Sequence, residues 1–181
     1  MNITALVLSS AVIGAVISSL ITLYVAERSY RNEYYKKIIE KRFQAFEYLN
    51  RLISILKVAV PDKDGRSYHS IFSGNGCEYQ SLLFDLAKNG PDFWVTDRTR
   101  SIILELNKEF FRCNLLLEEM KGNSVEVGKK EYVSIGKLRD SLEDSMLKEL
   151  PTAHKVRQFL SEKRVVNSYA VFDLKKGPHQ S

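Results

Sequence analysis

The residues of this 181-residue chain with the most chemistry in them are three histidines and two cysteines. His69, His154 and His179 are far apart, and none sits in HExxH, the spacing that turns two imidazoles toward one zinc ion on a helix face. Cys77 and Cys113 form no CxxC pair, so they read as buried thiols of a reducing compartment rather than as metal ligands or a disulfide framework. Ser73-Gly74-Asn75-Gly76 has the glycine content of a phosphate loop, but it lacks the GK[ST] ending and no strand pattern precedes it. It reads as a turn. Asp140, Glu143 and Asp144 have the spacing of a solvated helix face, with Lys137, Arg139 and Lys148 around them. A catalytic carboxylate pair would need an apolar pocket to raise one pKa, and nothing in the sequence points to one. Arg98 and Arg100 beside Trp94 could stack on bases and hold phosphates. We favour the plainer reading, an exposed first helical turn with Trp94 packed inward. No catalytic set, metal site or cofactor is implied, and the chain is expected not to be an enzyme.

The elements that carry these residues begin with an apolar segment. The first charged side chain is Glu27; residues 3–26 are uncharged and mostly apolar, about the 20 residues a helix needs to cross a bilayer. A cleaved secretory signal fits less well. No Lys or Arg precedes the run, and Tyr24 is too bulky for a cleavage site ending at Ala26. Just after the segment come Arg28, Arg31, Lys36, Lys37, Lys41 and Arg42, and basic residues near a span stay in the cytoplasm. The expected protein is a single-pass inner-membrane protein with its amino terminus outside. Tyr24 and Tyr30, with Tyr34 and Tyr35 beyond, suit the headgroup level, and Arg28, Arg31, Lys36 and Lys37 suit an anionic inner leaflet. The net charge of +5 belongs wholly to residues after 26, and lipid attraction explains it more economically than nucleic acid, which is not an expected partner.

Within the span Ser10, Gly14, Ser18 and Thr22 recur every four residues, and Ala11, Ala15 and Ser19 form a parallel row on the same half of the helix. Ile13, Val16, Ile17, Leu20 and Leu23 lie largely on the other half. Helix association in lipid depends on close backbone approach and hydroxyl hydrogen bonds, so the small face is read as pairing with a second copy or another membrane protein. A pore is less well supported, because no ionisable residue marks an ion path.

Residues 27–60 contain neither Pro nor Gly, and the span is expected to continue through them as one basic juxtamembrane helix. Ile39, Phe46, Ile53 and Val60, with Leu49 and Leu56, and Ile38, Ala45, Leu52 and Ala59, make three apolar columns interrupted by Arg42. That width suits a bundle better than a two-column coiled coil. Pro61 and Asp62-Lys63-Asp64-Gly65 end the helix, and Ser67 to Phe72 reads as a turn or short helix. Further helices are expected over 77–88, from Thr96 or Asp97 to about Lys121, from about Lys129 to Leu150, and over 153–163. The fourth would use Val133, Ile135, Leu138, Leu142, Met146 and Leu150 as its apolar set. Asn89-Gly90-Pro91 is read as a stop and 92–95 as a connector, 165–172 as a strand or extended tail, and 175–181 as disordered.

The fold class is thus all-α, with a short carboxyl-terminal strand as an option. Residues 1–26 form the anchor, 27–60 the basic helix entering a cytosolic bundle of four or five helices, 61–172 the remainder of that bundle, and 173–181 a tail. This layout, a span followed by a basic tyrosine-rich helix and a bundle, resembles small bacterial membrane-anchored helical proteins, a few of which are membrane effectors in anti-phage systems. The resemblance is one of plan and carries no functional residues. Two functions follow: a membrane-anchored interaction or regulatory module binding an unidentified cytosolic protein, or a membrane-perturbing effector acting through multimerised spans.

Overall fold

The computed structural model describes residues 3–73 and 91–163, with side chains from Val12 onward in the first stretch and from Asp92 in the second. The fold is all-α. Five helices stand among the described residues: α1 (Ile3–Lys57), α2 (Pro91–Trp94), α3 (Asp97–Glu119), α4 (Ser124–Glu149) and α5 (Val156–Glu162). The chain divides into two compact units, Met1–Ile39 and Glu40–Ser181.

In the first unit α1 is uncharged through residue 26, and its apolar side chains stand in the open, from Val12 and Ile13 through Leu23 and Val25. This is the one described helix long and apolar enough to cross a membrane.

In the second unit the core is built on three long helical faces. Leu49, Leu52, Ile53 and Leu56 of α1 meet Ile103, Leu106, Phe110 and Cys113 of α3 and Val127, Ile135, Leu142 and Met146 of α4 in one buried cluster. The 3.6-residue period read from the sequence therefore gives the buried faces of α1 and α3. On α4 it needs two corrections. Val133 is 63% exposed, because the buried stripe runs through Glu131, Ile135 and Leu142; Leu150 falls in a 3-10 turn, Leu150–Thr152, and is 40% exposed.

The boundaries differ for local reasons. α1 ends at Lys57, not Val60, and Ala59–Pro61 becomes a strand, β1, paired antiparallel with β2 (Ser67–His69) in the register Ala59 to His69 and Pro61 to Ser67. Val58 and Val60 are β-branched, and Pro61 pushes Val60 into extended backbone, so three residues leave the helix before the turn. Ala59 is accordingly exposed. Gly65 closes the hairpin at φ +80°, with its N–H on the Asp62 carbonyl at 2.9 Å. Ser67 to Phe72 is therefore strand, then the 3-10 turn Ser70–Phe72. Pro91 starts α2, since a first helical residue needs no N–H partner; the helix that Asn89-Gly90-Pro91 is expected to stop lies outside the described residues. Residues 92–94, expected as connector, lie in that turn of helix. Thr96 caps α3, and Lys121 and Gly122 stop it in left-handed backbone. α4 begins five residues earlier than expected, at Ser124, because Asn123 caps it by accepting from the Glu126 N–H. Gly128 is tolerated inside this first part of α4 because Phe72 lies against it, 2.8 Å from where a Cβ would stand. α5 is shorter than 153–163, since Pro151 sits in the 3-10 turn before it. The helix expected over 77–88, the Ser-Gly-Asn-Gly turn beyond Ser73, Cys77, His179, the 165–172 segment and the tail lie outside the described residues.

Candidate functional site

Two places hold the candidate chemistry: the exposed small-residue face of α1 with its basic flank, and the buried polar groups of the bundle. On α1, Gly14, Ala15, Ser18, Ser19 and Thr22 are all exposed, and a Cβ built on Gly14 meets no atom within 4 Å. Ser10 and Ala11 are helical, with side chains outside the described set. The Ser19 hydroxyl donates to the Ala15 carbonyl and the Thr22 hydroxyl to the Ser18 carbonyl, both at 2.8 Å. Their protons are used inside the helix, which leaves only oxygen lone pairs on those hydroxyls. Tyr24 and Tyr30 are exposed, and Arg28, Arg31, Lys36 and Lys37 are exposed without an ion pair among the described residues.

Inside the bundle the largest polar group is Arg42, 1% exposed. Its Nη2 donates to Glu149 Oε1 at 2.7 Å, its Nη1 to the Ala153 carbonyl at 2.9 Å, and its Nε to the Trp94 carbonyl at 3.3 Å. The guanidinium also lies 4.2 Å from the centre of the Phe159 ring. Glu149 completes its own set: Oε1 accepts the Thr96 N–H at 2.8 Å, and Oε2 accepts the Thr96 and Thr99 hydroxyls at 2.9 Å. With the Thr99 proton so used, Ser145 donates to Thr99 at 2.8 Å. One ion pair thus ties α1, the cap of α3, the end of α4 and the turn before α5. The signal for it was in the sequence, a lone arginine in an apolar column, but its carboxylate partner is not legible from spacing.

A second cluster sits where the hairpin meets α4. Lys129 Nζ lies 2.5 Å from Asp62, 2.9 Å from Asp64 and 2.7 Å from Glu126. These three carboxylates have ligand-like spacing. The lysine ammonium stands among them as the cation they share. It holds all three carboxyls below their usual range, and they in turn raise Lys129. Between α3 and α4, Arg112 bridges Glu109 and Glu131; burial pushes Glu131 up against the opposing pull of Arg112. Cys113 is buried, and burial pushes its thiol up to about 12. On the acidic face of α4, Asp140 pairs with Arg139 and Asp144 with Lys148, two of the basic neighbours read from the sequence, whereas Glu143 pairs with Lys57 of α1 at 2.5 Å. Trp94 packs partly buried against the core, Arg100 lies 3.5 Å from Asp92, and Arg98 is exposed, 3.6 Å from Asp144.

A shallow cleft of about 230 Å³ opens between α3 and α5, lined by Thr96, Asp97, Arg98, Phe159, Glu162 and Lys163. Its two acids and two bases offset one another, and Lys163 is turned inward onto the Val95 carbonyl at 2.7 Å, where burial lowers its pKa. No family model, curated protein or solved structure matches this chain. Its function must be argued from these residues. The polar clusters of the bundle are neutralised by their own partners, whereas the α1 face and its basic flank are not.

Proposed function

We propose that the chain is a membrane-anchored, non-enzymatic interaction or regulatory module at the cytoplasmic face of the inner membrane. The observation that carries this reading is α1: an uncharged segment with every described apolar side chain exposed, followed at once by unpaired Arg28, Arg31, Lys36 and Lys37. In water that surface would be a liability; in a bilayer it is an anchor. The anchor presents the second unit, a packed bundle, for recognition by a cytosolic protein. Internal pairing of Arg42, Lys129 and Arg112 supports a scaffold over a catalyst, since each charge is committed to a partner within the fold. The test is extraction and topology. The chain should stay with membranes through alkaline carbonate and be released by detergent, and a reporter fused after Ser181 should read as cytoplasmic. Release by carbonate would remove the anchor, and an active alkaline phosphatase fusion at that position would reverse the orientation.

A second reading, a membrane-perturbing effector, is favoured by one feature, the exposed face of small residues on which Gly14 has no atom within 4 Å of a Cβ position. Multimerised spans would permeabilise the bilayer when triggered. Dye entry into cells expressing the native chain, abolished by Gly14→Ile, would place this reading above the anchored module; pairing without leakage would keep the module.

A further inference from the structure

We propose that His69 is a proton-operated latch that holds the β1–β2 hairpin on α4, closed when the ring is neutral and released when it is charged. His69 ends β2 and is 1% exposed. Its Nε2 lies 3.1 Å from the Tyr132 carbonyl, which can only accept, so the neutral ring carries its proton on Nε2. Nδ1 is left as a buried nitrogen with no hydrogen-bond partner among the described residues. The ring also stacks on Tyr132, centroids 4.7 Å apart and 32° from parallel. The latch thus grips α4 by one hydrogen bond and one ring face, both compatible with a neutral imidazole.

A proton on Nδ1 adds a charge in that place. From α4 the ring faces Arg139, whose positive charge opposes it, and Asp140, whose negative charge favours it; from the end of α1 it faces the Leu56 carbonyl, which also favours it. Asp140 is committed to Arg139 at 2.6 Å, and Arg139 Nη1 reaches the Leu56 carbonyl at 3.4 Å, so both favourable groups are already shared. Burial outweighs them, and the ring's pKa is lowered from the ordinary 6.5. The sign follows. The unfolded or released hairpin binds a proton more readily than the docked one, so docking is at full strength above 6.5 and weakens as pH falls through that value toward the lowered one. Release uncovers Tyr68, Ile71 and Phe72, which are buried in the closed state. Acidification would thereby turn a covered apolar face into a binding surface.

The experiment uses the full chain in detergent micelles with histidine rings labelled with ¹⁵N. Ring titration and amide exchange, corrected for its intrinsic pH dependence, are followed from about pH 7.5 to about pH 5. His69 should stay neutral with its proton on Nε2 until below 6.5. As it charges, the Asp62 and Ser70 amides, which bond the Arg66 and Val58 carbonyls, should lose about tenfold more protection than α3 amides. His69→Gln keeps a donor for Tyr132 but gains no proton, and should abolish that extra loss. A His69 midpoint at or above 6.5, hairpin protection that ignores the ring's titration, loss shared equally by α3, or an unchanged loss in a folded His69→Gln chain would each overturn the latch. If His69→Gln fails to fold, the coincidence of ring and amide titrations in the native chain decides alone.

Discussion

Arg42 and Glu149 are the costliest residues to separate. Both are nearly inaccessible, and each is the other's neutralising charge. Arg42→Met leaves a carboxylate in the core, so unfolding of the native-length chain should weaken by about 3–5 kcal/mol. Adding Glu149→Leu should recover part of that loss, and a double-mutant cycle from denaturant midpoints measures the coupling. Lys129 behaves differently because its three carboxylates sit at the hairpin edge. Their pKa values are lowered, so the stabilisation is present above the ordinary carboxylate range and fades as pH falls through the lowered values. Lys129→Met should therefore lower the urea midpoint at neutral pH, and its difference from the native chain should narrow progressively as pH falls below the ordinary carboxylate range. At Cys113, a thiol pushed up to about 12 should escape alkylation at about pH 8 until denaturant is added, read by peptide mass mapping.

Two elements carry predictions of opposite kind. Where α4 passes the Ser70–Phe72 turn, the approach of Phe72 to Gly128 leaves no room for a methyl group. Gly128→Ala should destabilise the bundle by about 1–3 kcal/mol despite alanine's better helix propensity, as thermal melts would report. On α1, a Cβ added at Gly14 meets no atom within 4 Å, so Gly14→Ile is not opposed by packing against the described side chains as Gly128→Ala is. Loss of association in a membrane two-hybrid assay, worth roughly 0.5–2 kcal/mol, would then report pairing alone; Ile17→Leu should leave association intact. Periodicity made α1, α3 and most of α4 legible, because a buried stripe on a long helix is a strong signal. The β-hairpin was not: Ala59, Val60 and Ser67 to His69 are too short to show alternation, and their pairing depends on the Gly65 turn. The start of α4 was hidden by Gly128, a residue that reads as a breaker until Phe72 is seen against it. The buried hub was half legible, since Arg42 stood out in its column while nothing in the spacing marks Glu149 as its partner.

For the chain as a whole, the division between Met1–Ile39 and Glu40–Ser181 carries its own test. Removing residues 1–26 should leave a soluble helical fragment with a cooperative thermal transition, because the buried cluster draws on residues from Ala45 onward. A gradual, non-cooperative melt would show that the bundle needs its anchor. The order of synthesis gives the Arg42 pair a further meaning. Glu149 follows Arg42 by 107 residues, and the Ala153 carbonyl later still. At ribosomal rates of about 5–20 residues per second, that arginine spends roughly 5 to 20 s without its counter-charge. The apolar segment ahead of it is complete by then and free to enter the bilayer. Membrane insertion should therefore precede closure of the bundle, and a nascent chain stalled just before Glu149 should already be integrated yet still be open to protease in the part that follows the apolar segment.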